Sequence, residues 1–120
     1  MAHGGRGGVI VNNSSAAALL GGANFYIDYA ATKGAIDTMT IGLAKEVASE
    51  GIRVNAVRPG IIDTDIHDSS GTPGRVREAA RDIPMQRAGT ADEVADAVTY
   101  LLSNQASYIT GAILNVSGGR

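Results

Sequence analysis

The chain has 120 residues, a formal net charge of −2 and 44% hydrophobic residues, enough for one domain around one core. The weakly acidic balance offers no basic face to nucleic acid or an anionic membrane, and no apolar run approaches the roughly 20 residues of a membrane span. The absence of cysteine excludes a disulfide framework and a thiolate metal site.

Residues 1–8 are polar, and the apolar run after them is too short for a signal-peptide core, so cytoplasm is the default expectation. Charged residues make up 18%, below the roughly 25% of an average domain. Part of the surface is therefore expected to be covered by a partner or by further sequence. The 16 glycines cluster in connections, as an α/β fold with many tight turns requires.

Val9, Ile10 and Val11 form a β-branched run that reads as a fully buried, parallel strand. Asn12, Asn13, Ser14 and Ser15 follow at its C-terminal end, and residues 16–25 read as a loop. From about Asp28 to Glu50 no proline intervenes, and Ile36, Met39, Thr40, Leu43 and Val47 recur at helical spacing. Gly51 fits the position just past the end of this helix. Gly34 and Gly42 lie inside it and cost about 1 kcal/mol each relative to alanine, so close approach of another backbone is expected there. Ile52 to Val57 is the next strand, stopped by Arg58-Pro59-Gly60. Residues 61–72 form a polar connection. Thr72-Pro73 reads as a cap and first helical position for a short helix over about 74–81. Thr90-Ala91-Asp92-Glu93 spells a capping box that opens a helix to about Ser103, with Val94, Ala97, Val98, Leu101 and Leu102 on its apolar face. Ala112 to Val116 is a last buried strand before Gly118-Gly119.

The order predicts an α/β fold of three parallel strands joined by right-handed crossovers. In an open parallel sheet the site lies at the C-terminal strand ends. Ser14 and Ser15, Tyr29 and Lys33, and Pro59 to Thr64 all converge there. Tyr29 and Lys33 stand at i and i+4, side by side on one helical face. A free tyrosine has a pKa near 10, and a cation within about 4–6 Å favours its phenolate. Such a tyrosine can exchange a proton with a substrate oxygen, which a neighbouring serine hydroxyl can hold. Taken singly, a serine pair at a strand end also serves as a cap, and Pro-Gly as a plain turn.

Together, Gly8-Val-Ile-Val-Asn-Asn-Ser-Ser15, Tyr29-Ala-Ala-Thr-Lys33-Gly-Ala, Ile52-Arg-Val-Asn-Ala-Val-Arg-Pro-Gly60, Ile83-Pro-Met-Gln-Arg-Ala-Gly89 and Tyr108-Ile-Thr-Gly111 through Gly119 resemble the short-chain dehydrogenases/reductases over essentially the whole chain. The likeness is strongest to bacterial general-oxidoreductase and glucose-dehydrogenase-like members. It implies the C-terminal half of a Rossmann-like doubly wound parallel sheet and an oxidoreductase that passes hydride between NAD or NADP and an alcohol or carbonyl substrate. It places the substrate-orienting serine on Ser15, with Ser14 the less favoured choice, and the general acid/base on Tyr29. Tyr26 is set aside because Ala30, not a lysine, follows four residues later. Lys33 would also hold the nicotinamide ribose. Pro59, Gly60, Ile62 (by its backbone) and Thr64 would contact the cofactor, residues 61–82 would form the substrate lid, and the protein would be a homotetramer.

The glycine-rich phosphate turn of a nucleotide-binding fold does not occur in the sequence. Gly4-Gly5-Arg6-Gly7-Gly8 precedes a strand rather than following one. The family's catalytic asparagine has no counterpart, since Asn12 and Asn13 sit on the wrong element. Residues 1–120 are thus expected to be the catalytic half of one domain without its nucleotide-binding half. A catalytically silent fragment or binding module is the competing expectation. A nucleotide-sugar epimerase is a third, against which Gly111 and Gly118-Gly119 argue. His3 and His67 are isolated, and no metal is expected.

Overall fold

The computed structural model describes residues 7–64 and 75–120, with 75–77 described by their backbone alone. Strand β1 (Gly8–Asn13) leads through a short helix α1 (Ala17–Leu20) to the long helix α2 (Ile27–Val47) and strand β2 (Ile52–Pro59). Strand β3 (Ile62–Asp63), helix α3 (Arg75–Ala80), strand β4 (Gly89–Thr90), helix α4 (Ala91–Leu102) and strand β5 (Ile113–Val116) follow. The Thr72-Pro73 cap expected before α3 lies outside the described residues, as do His3, His67 and most of the expected lid.

Strands β1, β2 and β5 form one parallel sheet with β2 in the centre. Gly8 pairs with Ile52 and Asn13 with Val57, while Ala56 pairs with Ile113 and Pro59 with Val116. Successive side chains along a strand point to opposite faces, and the two faces carry different helices. On one, Asn12 donates to Thr40 of α2 at 2.9 Å and Arg58 pairs with Asp37 of α2 at 2.8 Å. On the other, the Arg53 guanidinium donates to the carbonyls of Leu101, Ser103 and Ile109, at and beyond the end of α4, at 3.0 to 3.2 Å. This is the doubly wound arrangement expected of alternating strands and helices.

The core centres on β2, where Val54, Asn55, Ala56 and Val57 are all buried. A buried amide needs partners, and Asn55 has them: its Nδ2 donates to the Ile109 carbonyl and its Oδ1 accepts from the Ala112 amide, both at 3.0 Å. The Val54 amide donates to Thr110 Oγ1 at 3.0 Å. These bonds draw the segment before β5 onto β2.

Several sequence expectations are corrected. Val9 to Val11 are not fully buried: Ile10 is 43% exposed and Val9 and Val11 are half-buried, because β1 has only β2 beside it among the described residues. Nor is the last strand fully buried, since Leu114 is 39% exposed on the other edge. Residues 16–25 are not all loop: Ala17–Leu20 forms one helical turn, closed by Gly21 in the left-handed region at φ 80. β2 runs on through Pro59, whose carbonyl accepts the Ala16 amide at 3.0 Å. The polar connection begins with a strand, β3, which pairs in parallel with β4.

Helix α2 keeps most of its pattern, with Thr40 buried and Ile36, Leu43 and Val47 half-buried. Its most buried residues are Ala30, Asp37, Thr40 and Ala44, while Met39 is 53% exposed. Small and polar residues make this contact because the sheet face opposite carries Asn12, Ser14 and Arg58. The helix gives way to a tight turn at Ala48–Glu50 that Gly51 closes at φ 78, as its position predicts. Among the described residues no backbone approaches Gly34 or Gly42; both open onto free space.

The capping box forms as spelled. Thr90 Oγ1 accepts from the Glu93 amide at 3.1 Å, and the Glu93 carboxylate accepts from the Thr90 amide at 3.0 Å. The same carboxylate takes a two-pronged hydrogen bond from Arg87 at 2.7 and 2.8 Å. The Arg87 hydrogen bond first, then that of the Thr90 amide, hold the Glu93 carboxyl down at about 2 from its ordinary 4.5. Thr90→Ala is expected to destabilise the protein by about 1 kcal/mol in urea unfolding. A depressed folded-state pKa contributes stability that is complete above the ordinary carboxyl value and drains away as pH falls through the folded one. The Glu93 contribution is therefore expected to be full above about pH 4.5 and lost toward pH 2, so the stability difference between wild type and Glu93→Gln should narrow over that window; a difference independent of pH would contradict the assignment.

Candidate active site

Backbone pairing between β1 and β2 continues past the last residue of β1. The Ser14 amide donates to the Val57 carbonyl at 2.8 Å and the Ala16 amide to the Pro59 carbonyl at 3.0 Å, so Ser15 is held on both sides. The strand alternation then separates the two serines. Ser14 is buried, with its hydroxyl toward α2 at a long 3.4 Å from the Lys33 carbonyl. Ser15 faces the other way, and its Oγ accepts the Ala17 amide at 3.1 Å. That bond starts α1 and leaves the Ser15 O–H to donate elsewhere.

Tyr29 lies in the first turn of α2 with 47% of its surface exposed. The Lys33 ammonium stands 5.5 Å from the centroid of its ring, within cation–π range. Lys33 is fixed there by donating to the Asn13 carbonyl at 3.1 Å, at the end of β1. The helical spacing of Tyr29 and Lys33 and the strand end thus act together, so that one cation is shared between a phenol ring and a backbone carbonyl.

The turn after β2 supplies the third side. The Gly60 amide donates to the Val116 carbonyl at 3.0 Å. A Cβ at Gly60 would stand 2.9 Å from Ser117 Cβ and 3.0 Å from its Cα, so only glycine lets the turn lie against the end of β5. The Ile61 carbonyl accepts the Gly89 amide at 3.0 Å, and β3–β4 pairing fixes Ile62.

Ser15, Tyr29, Pro59, Gly60 and Ile62 together line an open cleft of about 180 Å³. Two residues expected in the site do not line it. Lys33 stands behind Tyr29, and Thr64 is half-buried just beyond β3. Tyr26, set aside on its spacing, does line the cleft, its ring edge-on to that of Tyr29 with centroids 6.1 Å apart. The signal for it was Gly22, at φ 63, where any Cβ would overlap the Tyr26 ring. A second omission is the Asp37–Arg58 pair, whose partners lie too far apart in sequence to be matched by pattern. A larger hollow, about 480 Å³, lies by Gly51, Ile52 and Tyr108, at the opposite ends of the strands. Among the described residues no group of three His, Cys, Asp or Glu side chains could hold a metal.

The sequence profile of the family described as Enoyl-(Acyl carrier protein) reductase matches residues 1–120. The chain is 58% identical over 118 residues to an uncharacterized oxidoreductase, YgfF, of Escherichia coli strain K12, covering 98% of this chain and 48% of that protein. It is 44% identical over 115 residues to a glucose and ribitol dehydrogenase homolog of Oryza sativa subsp. japonica, covering 96% of this chain and 38% of that one. Among solved structures it is similar to a short-chain dehydrogenase/reductase of the glucose/ribitol dehydrogenase type from Brucella melitensis, with a TM-score of 0.82 and 40% identity over 92% of this chain and 44% of that one. The chain therefore spans about half the length, or less, of these relatives. With the fold and these likenesses in agreement, the chain belongs to the short-chain dehydrogenase/reductase family.

Proposed function

We propose that this chain carries the Ser-Tyr-Lys site of an NAD(P)-dependent oxidoreductase acting on an alcohol or carbonyl substrate. The observation that carries the reading is the convergence of Ser15 and Tyr29 on one cleft with the Lys33 ammonium 5.5 Å from the Tyr29 ring. In this reading the Ser15 hydroxyl donates to the substrate oxygen and orients it. Tyr29 delivers a proton to that oxygen when a carbonyl is reduced and accepts it when an alcohol is oxidised. Lys33 supplies positive charge beside the phenol. A nicotinamide, when bound, supplies or takes the hydride.

The residues present fit the nicotinamide end of such a cofactor. Gly60 lets the backbone lie flat beside Ser117, and Ile62 offers backbone at the cleft wall. We place Tyr29, Pro59, Gly60 and Ile62 around that end, propose Lys33, at the Tyr29 ring, and Thr64, just beyond β3, as further contacts outside the cleft lining, and leave NAD or NADP open. The phosphates in this fold are held at a glycine-rich turn before a helix, which does not occur among the described residues. We accordingly read residues 1–120 as the catalytic half of a single domain. The likeness to cofactor-dependent dehydrogenases and reductases over nearly the whole chain supports the oxidoreductase reading. No helix among the described residues is long and apolar enough to cross a membrane. We propose the cytoplasm as the default location.

We also infer a homo-oligomer, with a tetramer as the expected form. Away from the sheet, α2 exposes Ala31, Ala35, Met39 and Ile41, with open space at Gly34 and Gly42. A stripe this apolar and this low in side-chain bulk suits the close approach of a second helix.

In the full-length protein carrying this sequence, Tyr29→Phe is expected to lower turnover at least about 100-fold with nucleotide binding nearly intact, followed by the change in nicotinamide absorbance. Ser15→Ala is expected to cost about 100-fold and Ser14→Ala far less; the reverse ranking would move the substrate-orienting role by one residue. A wild-type protein without turnover on any alcohol or carbonyl probe would favour the second reading, a silent binding module. In light scattering the full-length protein is expected to be a multiple of its chain mass, and Gly42→Arg, at a position that meets nothing among the described residues, is expected to reduce that multiple. A monomeric wild type would remove the oligomer.

A further inference from the structure

We propose that Asp37 and Arg58 form a positioning pair that sets the proton-transfer side of the cleft against its cofactor side; the inference rests on the oxidoreductase reading above. Asp37 lies one helical turn beyond Lys33 on the sheet-facing stripe of α2 and is 6% exposed. Arg58 immediately precedes Pro59-Gly60. Arg58 Nε donates to Asp37 Oδ2 at 2.8 Å, with both side chains largely buried. Arg58 also reaches Asn115 of β5, at a long 3.4 Å. One guanidinium therefore joins the helix that carries Tyr29 and Lys33 to the strand end that carries Pro59 and Gly60, with β5 alongside.

The pair is poorly suited to serve stability alone. Asp37 Oδ1 is buried without a hydrogen-bond partner among the described residues. Desolvating an ion pair costs several kcal/mol per ion, which is recovered only when the remaining lone pairs are satisfied. Hydrophobic residues of similar size at such a position are often neutral or better for stability. What they lack is direction. A guanidinium fixes distance and angle between its partners through its planar donors, whereas aliphatic side chains slide. The bonds that place the Pro59-Gly60 turn begin one residue after Arg58: Pro59 accepts the Ala16 amide, next to Ser15, and Gly60 donates to Val116. Letting the end of β2 slide against α2 would thus move Ser15 and the cofactor wall together, relative to Tyr29.

The test is amide hydrogen exchange on the full-length protein carrying Asp37→Leu with Arg58→Met. The double variant is expected to melt at or above the wild-type temperature. The Ala16 and Gly60 amides are expected to exchange at least about tenfold faster, by local opening of the turn. The Ala56 and Gly111 amides, bonded deeper in the sheet to Ala112 and Val54, should keep their wild-type rates. Wild-type exchange at Ala16 and Gly60 would overturn the proposal, and so would equal acceleration at all four amides, which would mark a purely structural pin. If the double variant does not fold, Arg58→Lys, which keeps the charge and loses the planar donors, is scored by the same four amides. In the enzyme assay, kcat is expected to fall while the KM of the carbonyl probe stays within about twofold, the pattern of misplaced groups rather than lost binding. The exchange result needs no turnover, so the positioning role and the oxidoreductase reading fail separately.

Discussion

The seam between α2 and the sheet is polar where it matters most, and the rest of the molecule is arranged around it. Lys33 donates to the Asn13 carbonyl, Ser14 turns toward the Lys33 carbonyl, Arg58 pairs with Asp37 and Asn12 donates to Thr40. An apolar seam of equal area would hold the helix at least as strongly, but would leave it free to rotate or slide by a fraction of a turn. Hydrogen bonds at three positions of the helix, Lys33, Asp37 and Thr40, fix the rotation. Because Tyr29 and Lys33 belong to the same helix, their orientation over the strand ends is inherited from this seam. The alanines at 30 and 44 close its two ends by letting the helix lie near the strands.

A consequence is that α2 divides its apolar residues between its two sides: Ile36, Leu43 and Val47 are half-buried, whereas Met39 and Ile41 are exposed. Its most buried residues are small or polar, so it lacks the single apolar stripe of an ordinary amphipathic helix. The opposite layer behaves conventionally. α4 buries Leu101, half-buries Val94, Ala97 and Val98, and opens on a complete capping box. The two helices thus divide the work: α4 supplies hydrophobic cover, and α2 supplies geometry to the cleft and leaves Met39 and Ile41 exposed.

How much of this was legible in the sequence follows from the range of the interactions. Local signals were read correctly: the capping box at Thr90, the stop at Gly51, the i, i+4 pairing of Tyr29 with Lys33, the β-branched runs of β1 and β2. Convergence of Ser15, Tyr29, Pro59, Gly60 and Ile62 followed from parallel topology, which gathers strand ends on one side. On α2 periodicity finds Ile36, Thr40, Leu43 and Val47 but also selects the exposed Met39 and passes over Asp37, a charged residue whose burial depends on Arg58 and so on the fold itself. Burial of β1 and β5 was overstated for a related reason. Apolar composition reports what a strand is suited to contact, whereas exposure depends on the neighbours actually present. Spacing to a lysine says nothing of Tyr26 as a cleft wall, because its place there depends on the bare Cα of Gly22 beneath its ring.

The parallel pairing of β2 also dictates an order of events during synthesis. Each neighbour of β2 is separated from it by at least one helix, so no strand pair of the main sheet forms from adjacent sequence, and long-range pairings of this kind fold slowly. When β2 emerges it can join β1, but Asn55 still lacks both of its partners, Ile109 and Ala112, and Arg53 lacks all three of its carbonyls. A buried amide and a guanidinium must wait, hydrated, for sequence some fifty residues downstream. The most deeply buried strand of the molecule is thus among the last to be completed, and the short stretch from Ile109 to Val116 governs the closure of a core to which it contributes few side chains of its own.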